Sequence, residues 1–150
     1  MNPQLLLNSL RVQNDNLDVL IDVLEAEKQA IVQHNYTALE NAINEKQKIL
    51  RNVEREESNR IKIIKDLAGL YSLELPKASV DNLLEQGKIY FEKEYNELEK
   101  VRSSIKIKLD VVTRINSRLK DVIEFSRNMI KETIMMLVGN DKHTLVNKKV

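Results

Sequence analysis

The sequence predicts an all-α protein in which an antiparallel helical hairpin, a short helix and one long C-terminal helix form a coiled-coil-like bundle. Two prolines and three glycines among 150 residues leave few of the breaks that sheets and long loops require. Apolar residues recur at heptad spacing in several segments, as on the packed face of a helix. From about Ile89 to Val138 neither Pro nor Gly interrupts this pattern. We expect the helical domain to cover residues 1–138.

The composition limits the classes of function. Charged residues make up 31% of the chain while the formal net charge is +1, which indicates a mixed surface rather than one built for nucleic acid or an anionic membrane. Cysteine is absent, so disulfides and thiolate metal sites are excluded. No apolar run approaches the roughly 18 residues of a membrane span, and no basic leader precedes Leu5. We expect a soluble, cytoplasmic protein without membrane insertion.

The charges are unevenly distributed along the chain. The first 36 residues are acidic on balance, and the last 50 are basic. Two interpretations follow. The acidic start can pair with the basic end within the fold, or the basic end can present a face to an acidic partner.

The first helix is predicted to begin with Asn2 as N-cap and Pro3 at the first helical position, where the missing N–H costs nothing. Its apolar stripe consists of Leu6, Leu10, Leu17, Leu20, Ile21, Leu24 and Ile31. Asp15, Asp18 and Asp22 fall on the solvent side. The helix is expected to end near His34.

A capping box from Thr37 to Glu40 predicts the start of the second helix, and the short connection about Tyr36 favours an antiparallel hairpin. The predicted seam comprises Leu39, Ile43, Leu50, Val53, Ile64 and Leu67, with Lys46, Glu57 and Arg60 at seam positions. Folding about Tyr36 places Glu27 opposite Lys46 and Gln13 opposite Arg60. We interpret these polar residues as determinants of register.

The segment from Ser72 to Ser79 is predicted to be a loop, because Pro76 disfavours helix at the preceding residue. Ser79 can cap a short helix over 80–86, after which Gly87 either ends that helix or lies within one continuous helix. The long helix carries a seam at Phe91, Leu98, Val101, Ile105, Val112, Ile115, Leu119, Val122, Met129 and Met136. Gly139 and Asn140 are predicted to end it, and the tail from there to Val150 is expected to be mobile until a partner binds.

No motif for catalysis or cofactor binding is present. The sequence contains no glycine-rich phosphate loop, nucleophile elbow, H-E-x-x-H motif or calcium loop. The two histidines, His34 and His143, fall in a predicted turn and in the tail. Acidic residues are interspersed among Arg114, Arg118 and Arg127, and the aromatic content is 4%, which argues against nucleic-acid binding. We expect no enzymatic activity, no cofactor and no metal.

Helix lengths predict an uncovered surface. The long helix exceeds the hairpin by roughly 25 Å, and its direction places the excess beyond the Tyr36 turn, starting near Val122. The apolar residues predicted to bind a client there are Val122, Ile123, Met129, Ile130, Ile134 and Leu137. An uncovered stripe of this size is typical of an interaction surface. The alternative is that the stripe is buried by folding back or by homodimerisation.

The order of these features resembles the FlgN-type flagellar export chaperones. The resemblance rests on the acidic first helix, the turn His34-Asn-Tyr-Thr-Ala-Leu, the segment Glu45-Lys46-Gln-Lys-Ile-Leu50, and the segment Val112-Thr-Arg-Ile-Asn116-Ser-Arg-Leu119-Lys-Asp-Val-Ile123. It implies a non-enzymatic protein that escorts the hook-filament junction proteins FlgK and FlgL and meets components of the export apparatus. The alternative is a structural coiled-coil adaptor that self-associates through the long helix and has no secretion client.

Overall fold

A computed structural model describes residues 2–138 of the chain. It contains the helices α1 (Pro3–Val32), α2 (Tyr36–Leu70), α3 (Val80–Gly87) and α4 (Tyr95–Val138), with a short 3₁₀ helix at Lys88–Phe91 between the last two. No strand occurs in this part of the chain, and the predicted all-α class is confirmed. The predicted helix end at Gly139 and the predicted mobile tail lie outside the described residues.

The N-cap of α1 is the predicted one. The Asn2 side chain accepts a hydrogen bond from the backbone N–H of Gln4 at 3.0 Å, and Pro3 occupies the first helical position. At the other end, His34 adopts a φ of 55°. This left-handed conformation reverses the chain within the short connection to α2.

The predicted capping box at Thr37 is wrong. Asn35 is the N-cap of α2, since its side chain accepts from the backbone N–H of Ala38 at 3.1 Å. Thr37 lies inside the first turn of the helix. Asparagine caps a helix at least as well as threonine, and capping at Asn35 starts α2 immediately after the left-handed His34.

Gly87 interrupts the helix, which resolves the question that the sequence leaves open. Ser79 caps α3 as predicted, accepting from the backbone N–H of Asn82 at 3.2 Å. After Gly87 the chain enters the 3₁₀ helix, so α4 begins at Tyr95 rather than near Ile89. Phe91 is therefore not part of the seam of α4. Its side chain is fully buried and contacts the Tyr71 ring edge-on, with the centroids 5.4 Å apart.

The core is divided into two clusters along the bundle. The base cluster consists of Leu6, Leu7, Leu10, Ile63, Ile64, Leu67, Val80, Leu83, Leu84, Phe91 and Leu98. The middle cluster consists of Leu17, Leu20, Leu24, Ile49, Ile115 and Leu119. Helix α1 contributes to both clusters and packs against both α2 and α4, so it is the central helix of the bundle.

One predicted core position in α2 is wrong. Leu50 is 39% exposed, whereas its neighbour Ile49 is 5% exposed and belongs to the middle cluster. Both residues are apolar, and the polar residues elsewhere in the seam weaken the heptad pattern. The sequence therefore does not indicate which of the two residues is buried. The packed stripe passes through the buried Ala42, seven residues before Ile49, instead of through Ile43.

Helix α4 runs parallel to α1 and antiparallel to α2. Contacts between α1 and α4 advance together along both helices: Arg11 pairs with Glu97 at 2.9 Å, Ser104 donates to the Asn14 side chain at 3.1 Å, and Lys108 pairs with Asp18 at 2.9 Å. Asp18, which was predicted to lie on the solvent side, therefore also contributes to the contact between α1 and α4. These ion pairs include one between the acidic start and the basic end of the chain.

The predicted pair between α1 and α2 is present at Glu27 and Lys46. The Lys46 Nζ donates to both carboxylate oxygens of Glu27, at 3.0 and 2.9 Å. Gln13 and Arg60 line the same cleft, as the predicted register requires, but the Gln13 Nε2 donates to the carbonyl of Val53 at 3.1 Å. Arg60 pairs with Glu57, three residues earlier in its own helix, through Nε and one Nη.

Candidate functional site

The last part of α4 extends beyond the turn between α1 and α2. The last buried residue of α4 is Leu119, and Val122 and Ile123 are half-buried. Beyond them seven large apolar side chains are at least 48% exposed, one of which, Met135, lies on the opposite side of the helix, and Val138 is half-buried. We call the following six residues the projecting face: Phe125, Met129, Ile130, Ile134, Met136 and Leu137.

The projecting face occupies one side of the helix. At about 100° per residue its six members fall within roughly half of the circumference. The same side of α4 is packed lower down, where Ile115 and Leu119 are buried in the middle cluster. Thr133 lies within the face, and its hydroxyl donates to the carbonyl of Met129 at 2.8 Å. This polar group is satisfied internally, so a partner can cover it without leaving a hydrogen bond unmade.

The turn between α1 and α2 forms the floor of the site. His34 lines a cleft of about 350 Å³ with Phe125, Met129 and Ile130. It also lines a second cleft of about 350 Å³ with Val32 and Val122. Sequence reasoning assigned His34 only to a turn and did not include Phe125 in the site. Phe125 lies one helical turn before Met129, and this spacing in the sequence could have placed Phe125 on the same face.

The structure separates the six residues predicted to bind a client into two groups. Met129, Ile130, Ile134 and Leu137 all belong to the exposed projecting face. Val122 and Ile123 are half-buried, and Ile123 packs against the middle cluster. The projection therefore begins slightly later than predicted, because the hairpin turn still covers α4 at these two positions.

Charged residues flank the projecting face differently on its two edges. By helical geometry, Arg127 and Lys131 lie beside Ile134, whereas Asp121 and Glu132 lie beside Phe125. All four side chains belong to exposed residues. One edge of the face thus carries two cations, with Glu124 close to Lys131, and the other edge is acidic.

Asp81, whose pKa is shifted by its neighbours, lies beside the packed part of α4 rather than at this site. Lys106, whose Nζ donates to Asp81 at 3.0 Å, lowers the pKa of that carboxyl group. Partial burial opposes this effect, and Arg102, which donates to Asp81 at 2.8 Å, adds to it.

Within residues 2–138, no cluster of three or more His, Cys, Asp or Glu side chains could hold a metal ion. No helix in that range is sufficiently long and apolar to cross a membrane. The projecting face thus offers apolar surface and charge for binding.

A comparison with protein families agrees with this architecture. The family described as FlgN protein matches the chain over residues 1–148. No curated protein and no solved structure matches it significantly. Because the family match covers nearly the whole sequence, the chain belongs to the FlgN protein family, a chaperone family of flagellar assembly.

Proposed function

We propose that the protein is a cytoplasmic chaperone of flagellar type III export that binds hook-associated proteins, the FlgK- and FlgL-like hook-filament junction proteins, through the projecting face of α4. It then delivers them to components of the export apparatus. Family membership supports the class of function. The observation that carries the proposed site is the exposure of six large apolar side chains at the end of a helix whose other half is packed.

The projecting face suits a helical client segment. Burying a large apolar side chain is worth roughly 1.5–3 kcal/mol, so covering even part of this face provides substantial binding energy. Met129 and Met136 add flexible side chains that adapt to a client surface. An amphipathic client helix would place its apolar side along α4, as in other helix-in-groove complexes.

Substitutions in the face test the proposal. Ile130→Asp or Ile134→Asp should abolish binding to the FlgK- and FlgL-like proteins of the same organism, measured by isothermal titration calorimetry. Helicity and the thermal midpoint should be nearly unchanged, since neither residue belongs to the base or middle cluster.

Ile107→Asp is the matched control. Ile107 is also an exposed isoleucine of α4, at 64%, but it lies beside the bundle rather than beyond it. This variant should bind the client normally. If Ile130→Asp and Ile134→Asp unfold the chain or leave client affinity unchanged, the projecting face is not the client site.

The alternative function is that of a structural adaptor that self-associates through the same helix and has no secretion client. Sedimentation velocity of the purified chain distinguishes the two. A monomer that forms a complex with a junction protein supports the chaperone, whereas a stable homodimer that is broken by Ile134→Asp and ignores junction proteins supports the adaptor.

A further inference from the structure

A line of cations follows one edge of α4 from the bundle to the projecting end. Helical geometry places Arg102, Lys106, Arg127 and Lys131 within about 60° of one another around the axis. The first two donate to the carboxylate of Asp81, at 2.8 and 3.0 Å. An acidic residue from a neighbouring element thus meets this edge where α4 is packed.

At the projecting end the acidic residue on this edge is Glu124 of α4 itself, about 20° from Lys131 around the axis. Among the ion pairs formed within residues 2–138, none includes Arg127 or Lys131. Both residues are exposed and border the apolar side chain of Ile134. Whatever covers the projecting face must therefore also lie against these two cations.

A second copy of the chain does not fit this charge pattern. In a two-fold antiparallel pair of α4 ends, each edge meets its own counterpart, which brings Arg127 and Lys131 of one copy against those of the other. Like charges that face each other are destabilising. A parallel pair would match basic with acidic edges, but the second α4 would then run into the space that α1 fills, since the projecting face continues the packed face.

We propose, on the basis of the function proposed above, that the client segment seated on the projecting face is an amphipathic helix with acidic residues along the edge that meets Arg127 and Lys131. These acidic residues pair with Arg127 and Lys131 as Asp81 pairs with Arg102 and Lys106. The client helix lies beyond the end of α1, on the side of α4 that α1 covers lower down. Its apolar side supplies affinity, and its acidic edge determines its rotational position.

Charge reversal tests this assignment. Arg127→Glu combined with Lys131→Glu should weaken the binding of the full chain to a purified FlgK- or FlgL-like protein by about tenfold at low salt. The affinity of the unchanged chain should fall as NaCl is raised, and this dependence should be lost in the variant. Calorimetric titrations at two salt concentrations measure both quantities.

Arg114→Glu combined with Arg118→Glu is the matched control, because it changes the net charge equally on the same helix but beside the bundle. Its affinity should stay within about twofold of the unchanged chain. In a further experiment, acidic residues of the client helix are changed to lysine and the client is mixed with the Arg127→Glu, Lys131→Glu chain. Restored binding would support the assignment directly.

Failure of this inference can be told apart from failure of the proposed function. If the double reversal at Arg127 and Lys131 leaves affinity and salt dependence unchanged while Ile130→Asp abolishes binding, the acidic edge is overturned and the projecting face remains the site. If neither change affects binding, both proposals are overturned. A stable homodimer through α4 in sedimentation velocity would also overturn the inference, since a second copy would then be the occupant.

Discussion

At the scale of single residues, the ion pair between Glu27 and Lys46 is more deeply placed than a surface pair. The Glu27 side chain is 6% exposed and that of Lys46 is 27% exposed. An exposed pair would contribute at most about 1 kcal/mol. Lys46→Met leaves a buried carboxylate without its cation, so we expect a loss of about 2–3 kcal/mol in the free energy of unfolding, measured by urea denaturation.

The double variant Glu27→Gln, Lys46→Met provides the control for that experiment. It should recover most of the lost stability because the uncompensated charge is gone. Client affinity should be unchanged in both variants, as the pair lies in the hairpin and outside the projecting face. A loss of affinity with the fold intact would show that the pair has a binding role.

Asp81 gives the protein a pH-dependent contribution to stability. Its pKa is lower in the folded chain than the ordinary value of about 3.9, so this contribution is fully present above that value and is lost as the pH falls through the folded-state pKa. Asp81→Asn should therefore lower the thermal midpoint at pH 6, and the difference from the unchanged chain should shrink towards pH 3.

Thermal unfolding at pH 6, 4 and 3 measures this effect. Asp22→Asn is a suitable control because Asp22 is exposed and takes part in none of the ion pairs formed within the described range. An equal difference between the Asp81→Asn variant and the unchanged chain at all three pH values would contradict the prediction.

At the scale of elements, the packing of Phe91 after α3 depends on a glycine at position 87. A Cβ atom at this position would overlap the ring of Phe91, which is fully buried. Gly87→Ala should therefore destabilise the chain by roughly 1–3 kcal/mol, since the buried ring would have to shift to admit the methyl group. The free energy of unfolding from urea denaturation measures the effect.

Gly69→Ala is the contrasting change in the last turn of α2. No atom lies within 4 Å of the Cβ that would be added there, so we expect a gain of about 0.4–1 kcal/mol from the reduced freedom of the unfolded chain. If the two substitutions changed the free energy of unfolding by similar amounts, contact with Phe91 would not be the reason that position 87 requires glycine.

At the scale of the whole molecule, the folded core and the projecting face occupy different parts of the chain. Both clusters, together with the half-buried side chains packed against them, end at or before Ile123. A chain that ends at Ser126 should therefore keep a nearly unchanged thermal midpoint and lose client binding. Calorimetric unfolding and titration measure the two properties, and a large fall in the midpoint would place part of the folding core beyond residue 126.

The elements of this fold could be predicted from local patterns in the sequence. Heptad spacing predicted three long helical segments, Asn2 and Ser79 predicted two helix starts, and Pro76 predicted the loop. The excess length of the last helix predicted that its apolar end, including Ile130 and Ile134, would lie beyond the hairpin. Capping, helix breaking and helical rise act over a few residues, which is why these features could be predicted from sequence, whereas the N-cap of α2 and the start of α4 were not predicted correctly.

Only the tertiary structure decided which of several acceptable apolar residues are covered. It buried Ile49 instead of Leu50, placed Phe91 in a 3₁₀ helix, and left Ile123 half-buried while exposing Phe125. Each choice depends on how close a neighbouring helix lies. Periodicity within one helix contains no measure of that distance.

The tertiary structure also decided which charges on α4 are paired. Asp81 on α3 meets Arg102 and Lys106, whereas Arg127 and Lys131 join no ion pair formed among residues 2–138. All four cations follow the same edge of one helix, so the sequence of α4 does not distinguish them. Charge pairing is a property of helices brought together rather than of any one of them, and the position of α3 therefore determines which part of the edge is left for a partner.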